Sequence, residues 1–300
     1  MTSKKVIAVF GATGSQGGSV ARAILEDKDF SVRALTRDVT RPAALALRDL
    51  GAEVVKCDLN DQEAVKGALK GAYGAFLLTT YWDDFSKEKE VQQGKIVADA
   101  SKELGLKHVV YSGLENVKKL TKGKLEVPHF DGKGEVEEYF WNLGVPMTSV
   151  RVPYYENFLK GLKPVKASDG DYYNLVVPMK DIPMDGISVA DVGPAVVSIF
   201  RSPEEFLGKA VGLSAEALTV QQYADILSKV LGKVIKDVPF AQPSWHLGCS
   251  RNKTLHLSAP DIFSGCLPCL ERCSLSSPPT GFLRVSTKVP CTVGSLPQSL

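Results

Sequence analysis

The residues Gly11-Ala12-Thr13-Gly14-Ser15-Gln16-Gly17-Gly18 follow a short apolar run, Val6 to Phe10, and open a helix-like segment. Glycines in such a turn let the chain bend tightly, bring its backbone close to a pyrophosphate, and let helix and strand pack together. The start of the helix adds free N–H groups and the positive end of its dipole, which suit an anion. The spacing is GxxGxxG, one residue longer than the dinucleotide fingerprint, and alone it would also suit an ordinary glycine-rich connection. About twenty residues on, where such folds select their cofactor, the chain reads Thr36-Arg37, with Arg41 beyond and Asp38 the one acid nearby. An acid there accepts from the ribose 2′-hydroxyl of NAD, whereas a guanidinium pairs with the 2′-phosphate of NADP. The arginines therefore point to NADP(H), against the plainer reading of two solvated surface cations.

A loop of this kind works only if strands and helices hold it, and residues 1–151 supply them. Lys5–Phe10, Ser31–Thr36, Glu53–Cys57, Tyr73–Leu78, His108–Ser112 and Pro146–Arg151 read as six strands, largely apolar as strands covered on both faces should be. Helices are predicted near 17–27, 42–50, 62–70, 85–104 and 133–143; in the last, Val136, Tyr139, Phe140 and Leu143 share one face. Strict alternation with crossovers of this length predicts an α/β fold, a doubly wound parallel Rossmann sheet. From about 152 to 240 the pattern loosens into a smaller, irregular α/β second lobe, with a helix starting near Ser188, another over Val220–Leu231, and a late strand over Val234–Phe240. Such a lobe lies over the C-terminal edge of the sheet, where a second substrate binds.

Composition excludes several other classes. A formal charge of +2 over 300 residues offers no general attraction to nucleic acid or anionic membranes. No apolar run approaches the ~20 residues of a membrane span. The basic start before Val6 could pass for a leader, but the apolar stretch is only a strand long, so a cytoplasmic protein is expected. Of six cysteines only Cys57 lies before residue 240, which argues against a disulfide framework. The stretch 241–300 is rich in Ser, Pro and Cys and shows no sustained periodicity, so a tail of low order is expected. It carries Cys266, Cys269 and Cys273, with Cys249, His246 and His256 upstream. That is one CxxC on no recognisable scaffold, so no metal site is expected.

The runs GATGSQGGSVARAILE, YSGLENVKKLTKGKLEVPHFDGKGEVEEYF and GVPMTSVRVP, with Thr36-Arg37 after the second strand, resemble the NmrA-like proteins, a branch of the atypical short-chain dehydrogenase/reductases. The likeness covers about residues 1–240 and extends to the redox sensors of that family. It implies that Gly11, Ala12, Thr13, Gly14, Ser15 and Gln16 hold the pyrophosphate and that Arg37 and Arg41 hold the 2′-phosphate. Asp58 would lie near the adenine, with Thr79, Thr80 and Tyr81 passing the nicotinamide side. Lys133 would reach the nicotinamide ribose, and Tyr154, Tyr155, Glu156 and Asn157 would close over that end. Two departures stand out: Gln92 occupies a place where the family tends to have lysine, and the Pro153–Asn157 run is one residue shorter than its counterpart.

Short-chain dehydrogenases use Tyr-x-x-x-Lys, in which lysine lowers the tyrosine pKa for proton exchange. Here the element is His129-Phe130-Asp131-Gly132-Lys133. The lysine remains for binding, whereas His129 is either a general acid or a histidine that merely starts a helix. The resemblance and the missing tyrosine together imply an NADP(H)-binding redox sensor of the cytoplasm and nucleus. It would respond to the NADPH/NADP balance without hydride turnover and act through a protein partner, argininosuccinate synthase, or a cofactor-dependent homodimer. The alternative is an NADPH-dependent reductase of quinones or small carbonyl compounds.

Overall fold

The structure is a computed structural model that describes residues 4–153, 163–177, 179, 181–238 and 282–284. The elements run β1 (Lys5–Val9), α1 (Ser15–Leu25), β2 (Phe30–Thr36), α2 (Pro42–Asp49), β3 (Glu53–Lys56), α3 (Gln62–Leu69), β4 (Gly74–Leu77) and α4 (Lys87–Leu104). They continue with β5 (His108–Gly113), α5 (Val117–Leu120), α6 (Pro128–Leu143), β6 (Met147–Arg151), β7 (Val165–Lys166), β8 (Tyr173–Leu175) and β9 (Met184–Gly186). The remainder are α7 (Val189–Arg201), α8 (Pro203–Phe206), β10 (Ala210–Ser214), β11 (Glu216–Leu218), α9 (Val220–Leu231), β12 (Ile235–Asp237) and β13 (Phe282–Arg284).

The main sheet has the order β13-β10-β6-β5-β4-β1-β2-β3, and every pairing in it is parallel. The chain reverses its winding between β1 and β4, and the crevice beyond the C-terminal ends of those strands is where such a sheet takes a ligand. Alternation along β1 explains the two layers. Ile7 and Val9 face Val20, Ile24, Val196 and Phe200 on one side, while Ala8 faces Leu69, Val97 and Phe140 on the other. This is the doubly wound sheet expected from the strand runs.

Three features refine the sequence expectation. Helix α6 starts at Pro128, five residues before the predicted start, because proline suits a first helical position. Asp131 fixes that entry: its carboxylate accepts from Val127 N at 2.8 Å and Lys118 N at 2.9 Å. Within 152–240, α7 packs against α1 and β10 pairs with β6 in the main sheet. What stands apart is a smaller core of Leu175, Val177, Met184, Val220, Ala224 and Ile235. Finally, Phe282–Arg284 in the 241–300 stretch pairs with β10. An exposed parallel edge is a template for any short β-prone run that reaches it.

Candidate functional site

Strand β1 delivers the chain into the glycine loop, where Phe10 N donates to Phe76 O at 3.0 Å and Gly14 N to Gly11 O at 2.9 Å. Gly14 is the N-cap of α1 in extended conformation; as a glycine it offers no capping side chain, and the first turn holds no acid. A Cβ on Gly17 would overlap Gly11 O and lie 2.6 Å from Gly11 C and 2.8 Å from Phe10 O. The helix start is thus pressed onto the loop, and only glycine permits it. An N-terminus with a glycine N-cap, aimed at the switch crevice, is an arrangement for a phosphate group. From across the crevice, Ser112 at the end of β5 donates to Gln16 Oε1 at 2.8 Å, which ties β5 to the first turn of α1.

At the far end of the crevice, Arg37 follows β2 and donates from Nη1 to Asp83 Oδ2 at 2.7 Å. Asp83 lies in the loop between β4 and α4. Asp38, the acid that could have served a ribose hydroxyl, is turned into its own loop: Oδ1 accepts from Thr40 N at 2.9 Å and Thr40 Oγ1 at 2.6 Å. Those hydrogen bonds hold its carboxyl below the usual carboxylate range. Arg41 is exposed and forms the N-cap of α2. Asp58, just past β3, accepts from Asn60 N at 2.9 Å and Asn60 Nδ2 at 2.8 Å. From there Gln93 Nε2 donates to Asn60 Oδ1 at 3.2 Å, and Gln93 Oε1 accepts from Thr80 N at 3.4 Å. This amide relay joins the β3 and β4 loops; Gln93 and Asn60 were not foreseen as parts of it.

The near end is built where α4 and α6 cross. A Cβ on Gly94 would overlap the methyls of Val136, so the two helices meet at van der Waals distance there. One turn back on α4 stands Glu90, and one turn back on α6 stands Lys133. Lys133 Nζ lies 2.8 Å from Glu90 Oε1, with the glutamate fully buried and the lysine 13% exposed. Thr79 Oγ1 donates to Glu90 Oε1 at 2.8 Å, while Lys133 donates to Thr79 Oγ1 at 3.1 Å and Thr79 O at 3.2 Å. Since the threonine proton goes to Glu90, Tyr111 donates in its 3.2 Å contact with Thr79 Oγ1. Glu90 is the central residue that sequence reasoning missed. Its signal was present: Glu90, Gly94, Val97 and Ser101 share one buried helix face, so a charge on that face needed a partner.

His129 packs against Tyr81, Trp82 and Phe130, with ring centroids 5.6, 5.0 and 5.0 Å away. Burial first, and then the Lys133 cation, push its pKa down to about 4, only partly opposed by Asp131. The imidazole is therefore neutral near pH 7. The Tyr81 and Tyr111 hydroxyls are pushed up instead, chiefly by burial and then by the Glu90 charge. Further along, Arg151 at the end of β6 holds Glu115 at 2.9 Å and Glu137 at 2.8 Å, and burial raises the Glu137 carboxyl. Burial, with Asp58 and Asp61 beside it, pushes the Cys57 thiol up to about 12, which leaves it protonated and inert.

The parallel sheet thus sets Gly11–Gln16, Arg37, Asp58 and Thr79–Tyr81 just past the C-terminal ends of β1, β2, β3 and β4, and Lys133 of α6 joins them through Thr79. Tyr154, Tyr155, Glu156 and Asn157 lie outside the described residues, as do the histidines and cysteines of the 241–300 stretch. Among the described residues no group of three His, Cys, Asp or Glu could hold a metal, and no helix is long and apolar enough to cross a membrane.

The model of the NmrA-like family matches residues 3–242. An NmrA-like family domain-containing protein of Dictyostelium discoideum is 34% identical over 242 residues, covering 78% of this chain and 79% of its own. The NmrA-like family domain-containing oxidoreductase malD of Malbranchea aurantiaca is also 34% identical, over 250 residues, with 77% and 74% covered. Among solved structures, NmrA, described as a negative transcriptional regulator, superposes in its NADP complex with a TM-score of 0.69 at 28% identity, covering 79% and 74%. Its NAD complex superposes with a TM-score of 0.72 at 27% identity, covering 90% and 82%.

Proposed function

The chain belongs to the NmrA-like family, and on that premise we propose that it binds NADP(H) as a sensor of the NADPH/NADP balance rather than as a hydride-transfer catalyst. The loop Gly11–Gln16 and the start of α1 hold the pyrophosphate, and Arg37 with Arg41 hold the 2′-phosphate. Asp58 borders the adenine, Thr79–Tyr81 and Lys133 the nicotinamide ribose, and Tyr154–Asn157 close that end. The turn of Asp38 toward Thr40 supports the choice of NADP(H), because it commits that acid elsewhere.

One observation supports the sensor reading: among the described residues, neither His129 nor Tyr81 is tuned to donate a proton near neutral pH. A general acid works best with a pKa close to the operating pH. His129 is held near 4 and the Tyr81 hydroxyl above its ordinary 10, so both are far from that range. Lys133 is already engaged by Glu90 and Thr79. Cofactor occupancy then acts through shape, and a ligand shifts such an equilibrium only by its differential affinity for the two states. The outputs of that shift are contact with a protein partner, argininosuccinate synthase, or with a second copy of the chain, in the cytoplasm and nucleus.

The oxidoreductase name of the malD relative favours a second reading, an NADPH-dependent reductase of quinones or small carbonyl compounds. Calorimetric binding and absorbance-monitored consumption of NADPH, run on the same protein with a panel of both compound classes, separate the two. Tight binding with no turnover is expected. Steady oxidation that His129→Ala abolishes would replace the sensor reading with the reductase.

A further inference from the structure

Arg37 is not waiting unpartnered for a phosphate. It is held at 2.7 Å by Asp83, a residue 46 positions away in the loop that crosses from β4 to α4. Both side chains are open to solvent, at 66% and 39%, so the pair is exchangeable. The loop that carries Asp83 is under backbone strain. Phe85 sits at φ +51 with its N–H on Tyr81 O at 2.8 Å, a left-handed conformation that bulky residues avoid. Asp84, the next residue, is fixed instead to α4 through Lys89 at 3.0 Å. Asp83 therefore projects a carboxylate across the crevice from a strained support, onto the guanidinium that would read the cofactor.

We infer that Asp83 is a specificity-determining residue: the resident counter-anion of Arg37, which the 2′-phosphate of NADP(H) must displace and which NAD(H) need not disturb. This rests on the proposed role of Arg37. A phosphate monoester carries about −1.5 to −2 charges near neutral pH. If it takes Arg37 while Asp83 stays in place, two anions share one cation, and like charges that close repel. A ribose 2′-hydroxyl brings no charge and imposes no such exchange. Asp83 thus lowers the affinity for NADP(H) selectively and narrows the discrimination that Arg37 provides. It also couples occupancy of the phosphate subsite to release of the Tyr81–Ser86 loop, which borders the nicotinamide end.

The test is isothermal titration of the full chain with NADPH and NADH for four proteins: wild type, Asp83→Asn, Arg37→Met and the double variant. Asp83→Asn should bind NADPH about threefold to tenfold more tightly, as loss of an exposed ion pair with its competing charge allows, and NADH unchanged. In the Arg37→Met background the same change should alter neither cofactor by more than twofold. Unchanged or weaker NADPH binding by Asp83→Asn would overturn the inference. So would an equal gain for both cofactors, which would place the effect in the loop. Equal weakening of NADPH and NADH by Arg37→Met alone would instead defeat the assignment of Arg37 to the 2′-phosphate, an outcome distinct from either.

Discussion

Replacing Lys133 by methionine would keep most of the side chain's volume and remove its charge from beside Glu90. The ammonium lies 2.8 Å from a carboxylate that solvent does not reach, and it is itself 13% exposed. The second carboxylate oxygen has no hydrogen-bond partner among the described residues, so nothing else would take up the orphaned charge. Breaking one side of such a buried pair costs about 3–5 kcal/mol. For a protein of this size each kcal/mol lowers Tm by about 2–4 °C, so Lys133→Met should melt roughly 10 °C below wild type. Glu90→Gln should cost less, because the glutamine still accepts from Thr79 and the lysine keeps its two bonds to that residue. The double variant should recover part of the loss, with a coupling energy above about 1.5 kcal/mol in a denaturant-unfolding cycle. If the two single losses add within about 0.5 kcal/mol, Lys133 and Glu90 are not a coupled pair and the near end of the site is built differently.

Gly17→Ala places a methyl against the backbone of Phe10 and Gly11, so the loop must move. Overpacking of about 1–3 kcal/mol should appear in the melting curve, and calorimetry should show NADPH affinity down by more than tenfold; wild-type affinity would show that the loop geometry is not needed. The acid limb of stability should report His108, whose pKa burial pushes down from 6.5 to about 4. A depressed histidine contributes stability that is complete above about pH 6.5 and is lost as pH falls toward 4. Between those limits the loss is about 3 kcal/mol, and urea unfolding of His108→Leu beside wild type should show a shallower decline by that amount. Parallel profiles for the two proteins would refute the assignment.

What could be read from the sequence was what neighbours in the chain decide. The six strands of residues 1–151 announce themselves because each is a short, largely apolar run between helix-like segments, and the glycine loop because its spacing follows the first of them. Arg37 was legible as a cation just past the second strand. What escaped depends on segments far apart in sequence. Strand β10 is a five-residue run whose identity rests on pairing with β6, some sixty residues earlier. Asp83 carries no local mark of its reach to Arg37. The neutral state of His129 comes from burial, beside Tyr81 and Trp82 of a different loop, and then from the Lys133 cation. Glu90 lies between these cases: its face was readable, but its partner on another helix was not.

Two of the three cations that the proposed reading assigns to the cofactor, Lys133 and Arg37, are held by carboxylates, and they differ in how firmly. The buried pair of Lys133 and Glu90 is costly to open and sits where α4 and α6 cross, so on the proposed reading it is a fixed donor at the near end. The exposed pair of Arg37 and Asp83 contributes at most about 1 kcal/mol and spans two loops, so it opens readily. Cofactor binding is then an exchange at one end and a docking at the other. Only the exchange changes the position of a loop, and only a phosphorylated ribose drives it. Added salt screens an exposed pair far more than a buried one. The loop movement should therefore weaken with ionic strength, while the anchoring at Lys133 persists.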